Sequence, residues 1–179
     1  VWGALTDQPV AVHAEGDTLA AVLGLVREER VRVHFCHVSM ASEIELLRAS
    51  KNEGRPISVG VTPHHLYLEA ADRERLGGFA MVKPPLQTRA DREALWAGVL
   101  DGAVDTIESD HAPHTRAEKA SASPPFGLPG LETTMALMIT AMRERGLTRD
   151  RLIELLATNA QRIFGLVPPP DTFTLVDAE

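Results

Sequence analysis

The sequence has a single cysteine, few aromatic residues and no long apolar run. Cys36 is the one cysteine among 179 residues, so no disulfide can form within the chain and nothing ties it to an oxidising compartment. No stretch approaches the ~18 apolar residues that a membrane-spanning helix needs, and no charged-then-apolar leader opens the sequence. These absences argue against membrane insertion and export, and we expect a cytoplasmic protein.

Basic residues are scarce relative to acidic ones. The chain has 18 Lys and Arg against 25 Asp and Glu, a formal net charge of −7, and its basic residues are scattered. Surfaces that bind nucleic acid are basic and clustered, so nucleic acid is not an expected partner. The 44% of hydrophobic residues is typical of a globular domain. Because the sequence opens with Val1 inside an apolar stretch, we expect a fragment of a longer protein.

Strand-like and helix-like segments alternate along the chain. The predicted strands cover 9–14, 31–38, 57–61 and 104–109, and the predicted helices cover 18–30, 41–52, 89–100, 131–145 and 149–164. Parallel strands need crossover helices, so this order predicts a parallel α/β sheet. The segments 64–88 and 111–129 are predicted loops, the first with a helical turn near 72–76, and 172–176 alternates like the start of another strand.

The order of elements favours a barrel over a nucleotide-binding sheet. No glycine fingerprint of a dinucleotide-binding fold and no phosphate-binding loop follows any predicted strand. A (β/α)8 barrel of the TIM type needs eight strands and ~250 residues, and only four strands are visible. The predicted fold class is therefore α/β, as part of such a barrel.

Histidines stand where each of the first three predicted strands ends, and an aspartate with two histidines follows the fourth. In a parallel barrel the carboxyl ends of the strands form the catalytic face. Imidazole and carboxylate groups on one face suit Zn²⁺, which lowers the pKa of a bound water toward ~7 and polarises a carbonyl group. The pattern predicts a metal-dependent hydrolase in which Asp110 carries the proton. The residues concerned are His13, His37, His64, His65, Asp110, His111 and His114.

The motifs around these residues occur together in one known family. In chain order they are Val12-His13-Ala14-Glu15, Cys36-His37-Val38-Ser39, Val61-Thr62-Pro63-His64-His65-Leu66, Lys83-Pro84-Pro85-Leu86, Ser109-Asp110-His111-Ala112-Pro113-His114-Thr115 and Pro129-Gly130-Leu131-Glu132-Thr133. Each motif alone is weak, but the combination is specific. The sequence resembles the carboxyl-terminal half of a dihydroorotase, in the amidohydrolase superfamily, over about residues 9–177.

The resemblance implies a fold and an activity. Residues 1–166 would form about strands five to eight of a (β/α)8 barrel, and 167–179 would begin a return strand toward a small β-domain. The implied activity is the reversible hydrolysis of L-dihydroorotate to N-carbamoyl-L-aspartate in pyrimidine synthesis, with two zinc ions in the complete active site. The implied partners are the missing amino-terminal half of the barrel, and a second copy of the chain or an aspartate carbamoyltransferase.

The resemblance also assigns roles to individual residues. The implied zinc ligands are His13, His37 and Asp110, the last also acting as acid and base, and the implied substrate contacts are His114, Lys83, Phe126 and Gly127. Lys83 and Gln87 stand where many bacterial relatives carry asparagine and arginine. The family's His-x-His pair, its substrate-binding arginine and asparagine, and its carboxylated lysine have no counterpart in this sequence.

Other polar residues are interpreted as structural. His34 is expected to pack between the sheet and a helix, and Cys36 to be unreactive core. One of His64 and His65 is expected to line the mouth of the barrel and the other to hydrogen-bond, neither as a metal ligand. Glu118 and Lys119 are interpreted as solvated charges.

Two alternative functions stay open. The first is an allantoinase or hydantoinase that acts on a related ring. The second is a dihydroorotase-like scaffold without metal, against which the presence of His13, His37 and Asp110 argues. In isolation the chain is expected to be inactive, because half a barrel supplies only part of the metal site and exposes strand edges.

Overall fold

The computed structural model describes residues 8–29 and 31–176, and in this part of the chain nine helices accompany four strands. The strands are β1 (Val10–Val12), β2 (Val33–Phe35), β3 (Ile57–Val61) and β4 (Thr106–Ile107). The helices are α1 (Gly16–Glu29), α2 (Ala41–Asn52), α3 (Pro63–Tyr67), α4 (Asp72–Leu76), α5 (Arg89–Asp101), α6 (Arg116–Lys119), α7 (Leu131–Glu144), α8 (Arg149–Ile153) and α9 (Asn159–Phe164). No helix of the described residues is long and apolar enough to cross a lipid bilayer.

The four strands form one parallel sheet in the order β1-β2-β3-β4. Val12 pairs with Phe35, Phe35 with Val59, and Val61 with Ile107. The predicted parallel α/β sheet is confirmed. Because neighbouring strands run in the same direction, all four carboxyl ends lie along one edge of the sheet, and the loops that carry the chemistry leave from that edge.

The two faces of the sheet differ in chemistry. Alternate side chains of β2 and β3 are buried in the hydrophobic core against the helices; these are Val33, Phe35, Val59 and Val61. Because successive side chains of a strand point to opposite faces, the residues between them face the other way. That second face is polar or small, with His34, Cys36, Ser58 and Gly60.

Threonine hydroxyls cap four of the described helices, namely α3, α5, α6 and α8. Thr88 accepts a hydrogen bond from the backbone of Asp91, whose carboxylate accepts from the Thr88 backbone in return, which is a capping box at the start of α5. Thr148 caps α8, since its hydroxyl accepts a hydrogen bond from the backbone N–H of Arg151. Thr62 caps α3 in the same way, with Pro63 in the first helical position.

Several segments differ from the sequence prediction. The predicted loop 64–88 contains α3 and a 3-10 turn at Gly77–Ala80 as well as the predicted turn α4, and 111–129 contains α6. A π-helical turn divides the helix predicted over 149–164. The strand predicted over 172–176 is not formed, because no described strand lies beside it to pair its backbone. The predicted helix end at 30 and positions 177–179 fall outside the described residues.

Candidate active site

His13 and His37 meet at the carboxyl ends of β1 and β2. His13 Nδ1 lies 2.5 Å from His37 Nε2, and the ring centres are 4.6 Å apart. The His37 ring is buried, whereas His13 is exposed. The two imidazole nitrogens face each other at adjacent strand ends, and imidazole nitrogen is a donor that Zn²⁺ prefers, so the donor chemistry of this pair fits the implied metal.

Two of the three predicted ligands have a left-handed backbone. The φ angle is 38° at His37 and 43° at Asp110. Residues with a side chain seldom adopt this conformation, which costs of order 1 kcal/mol or more and persists where the surroundings hold it. At both positions the turn follows shortly after the end of a strand, where the backbone leaves the direction of the sheet.

Asp110 follows β4 at the same edge of the sheet as the two histidines. Its carboxylate is half-buried and has no hydrogen-bond or ion-pair partner within residues 8–29 and 31–176. The structure therefore places Asp110 on the predicted face without a direct bond to His13 or His37. A half-buried carboxylate without a partner is free to accept a proton or a ligand.

The buried Glu43 side chain forms hydrogen bonds to both segments that follow His13 and His37. One oxygen of Glu43, in the first turn of α2, accepts from the backbone N–H of Gly16 at 2.8 Å. The other accepts from the backbone N–H groups of Ser39 and Met40, each at 3.2 Å. The carboxylate thus fixes the β1–α1 connection relative to the β2–α2 connection.

A second polar cluster lies on the polar face of the sheet, the face that carries His34 and Ser58. His34 Nε2 bonds to Glu108 Oε1, and His34 Nδ1 lies 2.8 Å from the Ser58 hydroxyl. His34 also packs edge-on against the Phe164 ring of α9, with centres 5.2 Å apart, which confirms the predicted packing against a helix. The second oxygen of Glu108 accepts from the backbone N–H of His37 at 2.9 Å.

Cys36 adjoins this cluster. The sulfur of Cys36 and one ligand atom each of His34 and Glu108 lie within 4.8 Å of one another. Among the described residues, the predicted ligands His13, His37 and Asp110 do not come together in such a group. Burial, then the charges of Glu108 and Asp110, raise the pKa of the Cys36 thiol to about 12. A thiol with that pKa stays protonated at neutral pH, which agrees with its interpretation as unreactive.

The consecutive histidines of α3 have different surroundings. His65 Nδ1 lies 2.7 Å from the Thr62 hydroxyl, and His65 Nε2 donates to the Pro84 carbonyl at 3.0 Å. The prediction that one of the pair hydrogen-bonds is thus confirmed for His65. Burial lowers the pKa of His65 to about 4. Burial, then the neighbouring His65 and His37, lower the pKa of His64 to about 3.

Three of the predicted substrate contacts meet each other. His114 Nε2 donates to the Phe126 carbonyl at 3.0 Å, and the ammonium of Lys83 lies 4.8 Å from the centre of the Phe126 ring. Gly127 has a φ angle of 129°, and a Cβ atom there would lie 2.4 Å from the Ala112 carbonyl oxygen. Only glycine fits this position, so the loop comes close to the segment between His111 and His114.

The interpretation of Lys119 as a solvated charge is wrong. Lys119 is only 4% exposed, and its ammonium donates to the carbonyls of Met81, Pro125 and Gly127 at 3.0, 2.8 and 2.9 Å. Three carbonyls replace the water that a lysine needs, although burial still lowers its pKa. Glu118 is exposed as expected and bonds back to Thr115 at the start of α6.

Three further residues of the site were not predicted from the sequence, namely Glu43, Gly60 and Glu108. Glu43 stands at the third position of α2, where a glutamate bonding backward to free backbone N–H groups is a known signal. Glu108 and Gly60 carry no such signal, because their importance depends on the pairing of β3 with β4.

The chain is similar to curated dihydroorotases and multifunctional proteins over most of its length. It is 44% identical over 172 residues to the multifunctional protein CAD of Squalus acanthias, covering 96% of this chain and 8% of that protein. It is 39% identical over 178 residues to the dihydroorotase of Geobacillus thermodenitrificans, covering 94% of this chain and 40% of that protein. The chain therefore spans less than half the length of these relatives. No model of a protein family matches the sequence.

The fold is similar to that of cyclic amide hydrolases of known structure. The L-hydantoinase of Arthrobacter aurescens superposes with a TM-score of 0.78 at 28% identity, covering 83% of this chain and 34% of that enzyme. The parallel α/β architecture of this chain thus matches that of an amidohydrolase.

Proposed function

We propose that this chain, a homologue of the dihydroorotases, provides the carboxyl-terminal half of a zinc-dependent dihydroorotase. The reaction is the reversible hydrolysis of L-dihydroorotate to N-carbamoyl-L-aspartate. The observation that carries the proposal is the convergence of His13 Nδ1 and His37 Nε2, 2.5 Å apart, at the carboxyl ends of adjacent parallel strands. Identities of 39–44% to proteins named dihydroorotase and CAD support the choice of substrate.

The four strands are proposed to be strands five to eight of a (β/α)8 barrel. Four parallel strands in sequential order are half of such a barrel. The similarity covers 40% of the bacterial dihydroorotase and 34% of the hydantoinase, which supports the same division. The remaining four strands, supplied by the rest of the protein or by a partner, would complete the metal site, and 167–179 would lead into a small β-domain.

His13, His37 and Asp110 are the residues proposed to hold zinc, two ions being expected in the complete site. When bound, zinc makes a nucleophile of water near neutral pH and polarises the carbonyl that is attacked. The left-handed turns at His37 and Asp110 direct both side chains from the strand ends. Glu43 keeps the two histidine-bearing connections in register through its three backbone hydrogen bonds.

Asp110 is proposed to move the proton. Its half-buried carboxylate has no ion-pair partner among the described residues, so it can accept the proton of the attacking water. As the ring C–N bond breaks, the same carboxyl group returns the proton to the leaving nitrogen. In the biosynthetic direction Asp110 takes a proton from the carbamoyl nitrogen as that nitrogen attacks the carbon of the side-chain carboxylate. Asp110 gives this proton to the oxygen that leaves as the C–O bond breaks, and one further proton from solvent completes the water.

The substrate is proposed to bind against the segment 112–127 and Lys83. Dihydroorotate carries a carboxylate, and the Lys83 ammonium, held over the Phe126 ring at 4.8 Å, supplies a positive charge for it. His114 orients the same segment through its bond to the Phe126 carbonyl. Gly127 is proposed, on the resemblance, as a further substrate contact from the same segment, where it lies against Ala112.

Further domains are also proposed as partners. The relative from Squalus acanthias is named a multifunctional protein, which supports association of this chain with other catalytic units. A second copy of the chain, or an aspartate carbamoyltransferase, is the partner that we propose on the resemblance.

A hydantoinase activity is the second candidate, because a hydantoinase has the same fold at 28% identity. The two functions are separated by measuring turnover of dihydroorotate, hydantoin and allantoin by the intact protein and by Asp110→Asn. We expect dihydroorotate to be turned over fastest, with a loss of at least about a hundredfold in the variant. Faster turnover of hydantoin, or an unchanged rate in Asp110→Asn, would contradict the proposal.

A further inference from the structure

The backbone of His37 leaves the hydrogen-bond pattern of the sheet. The neighbouring N–H groups continue the ladder, with Cys36 donating to Val12 at 3.0 Å and Val38 donating to Gly60 at 2.9 Å. The N–H of His37 instead donates to Glu108 Oε2 at 2.9 Å, and the φ angle of His37 is 38°. The Glu108 side chain, and not a neighbouring strand, thus accepts the hydrogen bond from the His37 N–H.

Glu108 reaches His37 from two strands away. It follows β4, whereas His37 follows β2, and β3 lies between them. The carboxylate passes over Gly60 of β3, where a Cβ atom would lie 2.1 Å from Glu108 Oε1 and 2.2 Å from Glu108 Cδ. Any other residue at position 60 would occupy the space that the carboxylate uses.

Both oxygens of Glu108 are engaged. Oε2 accepts from His37, and Oε1 bonds to His34 Nε2, while His34 Nδ1 faces the Ser58 hydroxyl at 2.8 Å. His34 is 1% exposed and cannot exchange this partner for water. His34 therefore holds the Glu108 carboxylate through the oxygen that does not bond to His37. A charged acceptor also forms a stronger bond to a backbone N–H than a neutral one.

We propose that Glu108 is a positioning residue that sets the direction of the His37 imidazole toward His13, with Gly60 providing its space. This inference rests on the proposed zinc site. Glu108 bonds to the backbone N–H of His37 and, among the described residues, has no hydrogen bond to the His37 ring. Groups one step removed from a metal commonly change its affinity by about 10- to 100-fold when removed.

The test uses the intact protein and compares Glu108→Ala with Glu108→Gln. The glutamine oxygen can accept from the His37 N–H, and its amide can donate to His34 Nε2 once the Ser58 hydroxyl accepts from His34 Nδ1. Zinc affinity is measured by chelator competition, and hydrogen exchange of the His37 amide is measured in the metal-free protein. His37→Ala serves as the reference for loss of a ligand, and thermal unfolding shows whether each variant folds.

We expect Glu108→Ala to bind zinc about 10- to 100-fold more weakly and to exchange the His37 amide faster, with both properties restored in Glu108→Gln. Gly60→Ala should resemble Glu108→Ala, and should add nothing in the Glu108→Ala background. Unchanged zinc affinity and exchange in Glu108→Ala, while His37→Ala loses zinc, would overturn the inference and leave the proposed function standing. A glutamine variant as weak as the alanine variant would also overturn it, since Glu108 would then act as a ligand or by charge.

A wild-type protein that binds no zinc would overturn the proposed function instead. Hydrogen exchange at His37 would still decide, in that case, whether Glu108 holds this backbone.

Discussion

His13 Nδ1 and His37 Nε2 lie 2.5 Å apart, although 24 positions separate the two residues along the chain. The distance follows from the parallel pairing of β1 with β2, which brings the ends of both strands to one edge. Glu43 and Glu108 then fix the backbone on either side of the pair through bonds to Gly16, Ser39, Met40 and His37. The convergence is therefore a property of the folded scaffold.

Replacing Lys83 should weaken the binding of a substrate that carries a carboxylate. Lys83→Met is expected to raise the KM for dihydroorotate about tenfold with little change in kcat, since a charged hydrogen bond contributes about 1.5–3 kcal/mol. Lys83→Arg keeps the charge and should stay near the wild-type value. The check is steady-state kinetics of the intact protein. An equal rise in KM for hydantoin, which has no carboxylate, would show that Lys83 does not recognise that group.

Replacing Lys119 should loosen residues 112–127, the segment proposed to contact the substrate and called the substrate segment below. Lys119→Met leaves the carbonyls of Pro125 and Gly127 without the Lys119 donor and the Met81 carbonyl with the Gly127 N–H alone, at a cost of about 1–3 kcal/mol in the free energy of unfolding. Because two of these carbonyls belong to the segment around Phe126, the KM for dihydroorotate should rise as well. Denaturant unfolding and kinetics on the intact protein measure the two effects.

Lys51 provides the matched control for Lys119. Its ammonium also bonds to two carbonyls, of Gly102 and Ala103, and to the carboxylate of Asp105, but at the amino end of β4. Lys51→Met should reduce stability and leave KM unchanged. If both variants change KM alike, Lys119 has no specific effect on the substrate segment.

Acid should destabilise the fold through the buried histidines of α3. The pKa is lowered from 6.5 to about 3 at His64 and about 4 at His65. Between pH 6.5 and 4 the unfolded chain binds protons that the folded chain does not, so the free energy of unfolding falls as the pH falls. The slope is up to about 1.4 kcal/mol per pH unit for each histidine.

Urea unfolding of the intact protein at pH 7, 6 and 5 measures this dependence, with a chelator present so that metal release does not contribute. His65→Gln removes one of the two titrating groups and should show a shallower slope than the wild type. Equal slopes for the two proteins would mean that His65 does not contribute.

Local signals predicted much of the fold. The predicted bounds 41–52 and 57–61 agree with those of α2 and β3, because the pattern that indicates each element is set by neighbouring residues. The interruption of the helix over 149–164 by a π-helical turn has no local signal. The strand over 172–176 has the alternation of a strand, but alternation cannot supply a neighbour to pair with.

The candidate site was predictable where it depends on strand ends and not where it depends on contacts between distant strands. His13, His37 and Asp110 follow strands and share an edge once the strands are parallel. Lys119 has the sequence context of a surface lysine, and its burial arises only when the chain brings Met81 and Gly127 around it. Glu108 needs the empty space above Gly60, which only the pairing of β3 with β4 creates.

The zinc content of the intact protein tests the proposed zinc site most directly. It is measured, together with the hydrolysis of dihydroorotate, for the wild type, His13→Ala and His37→Ala. His114→Ala, which alters the substrate segment alone, is the control and should keep its zinc. We expect two zinc ions per complete active site in the wild type, and loss of zinc and of activity in both histidine variants. A wild type without zinc, or unchanged zinc and activity in both variants, would contradict the proposed site.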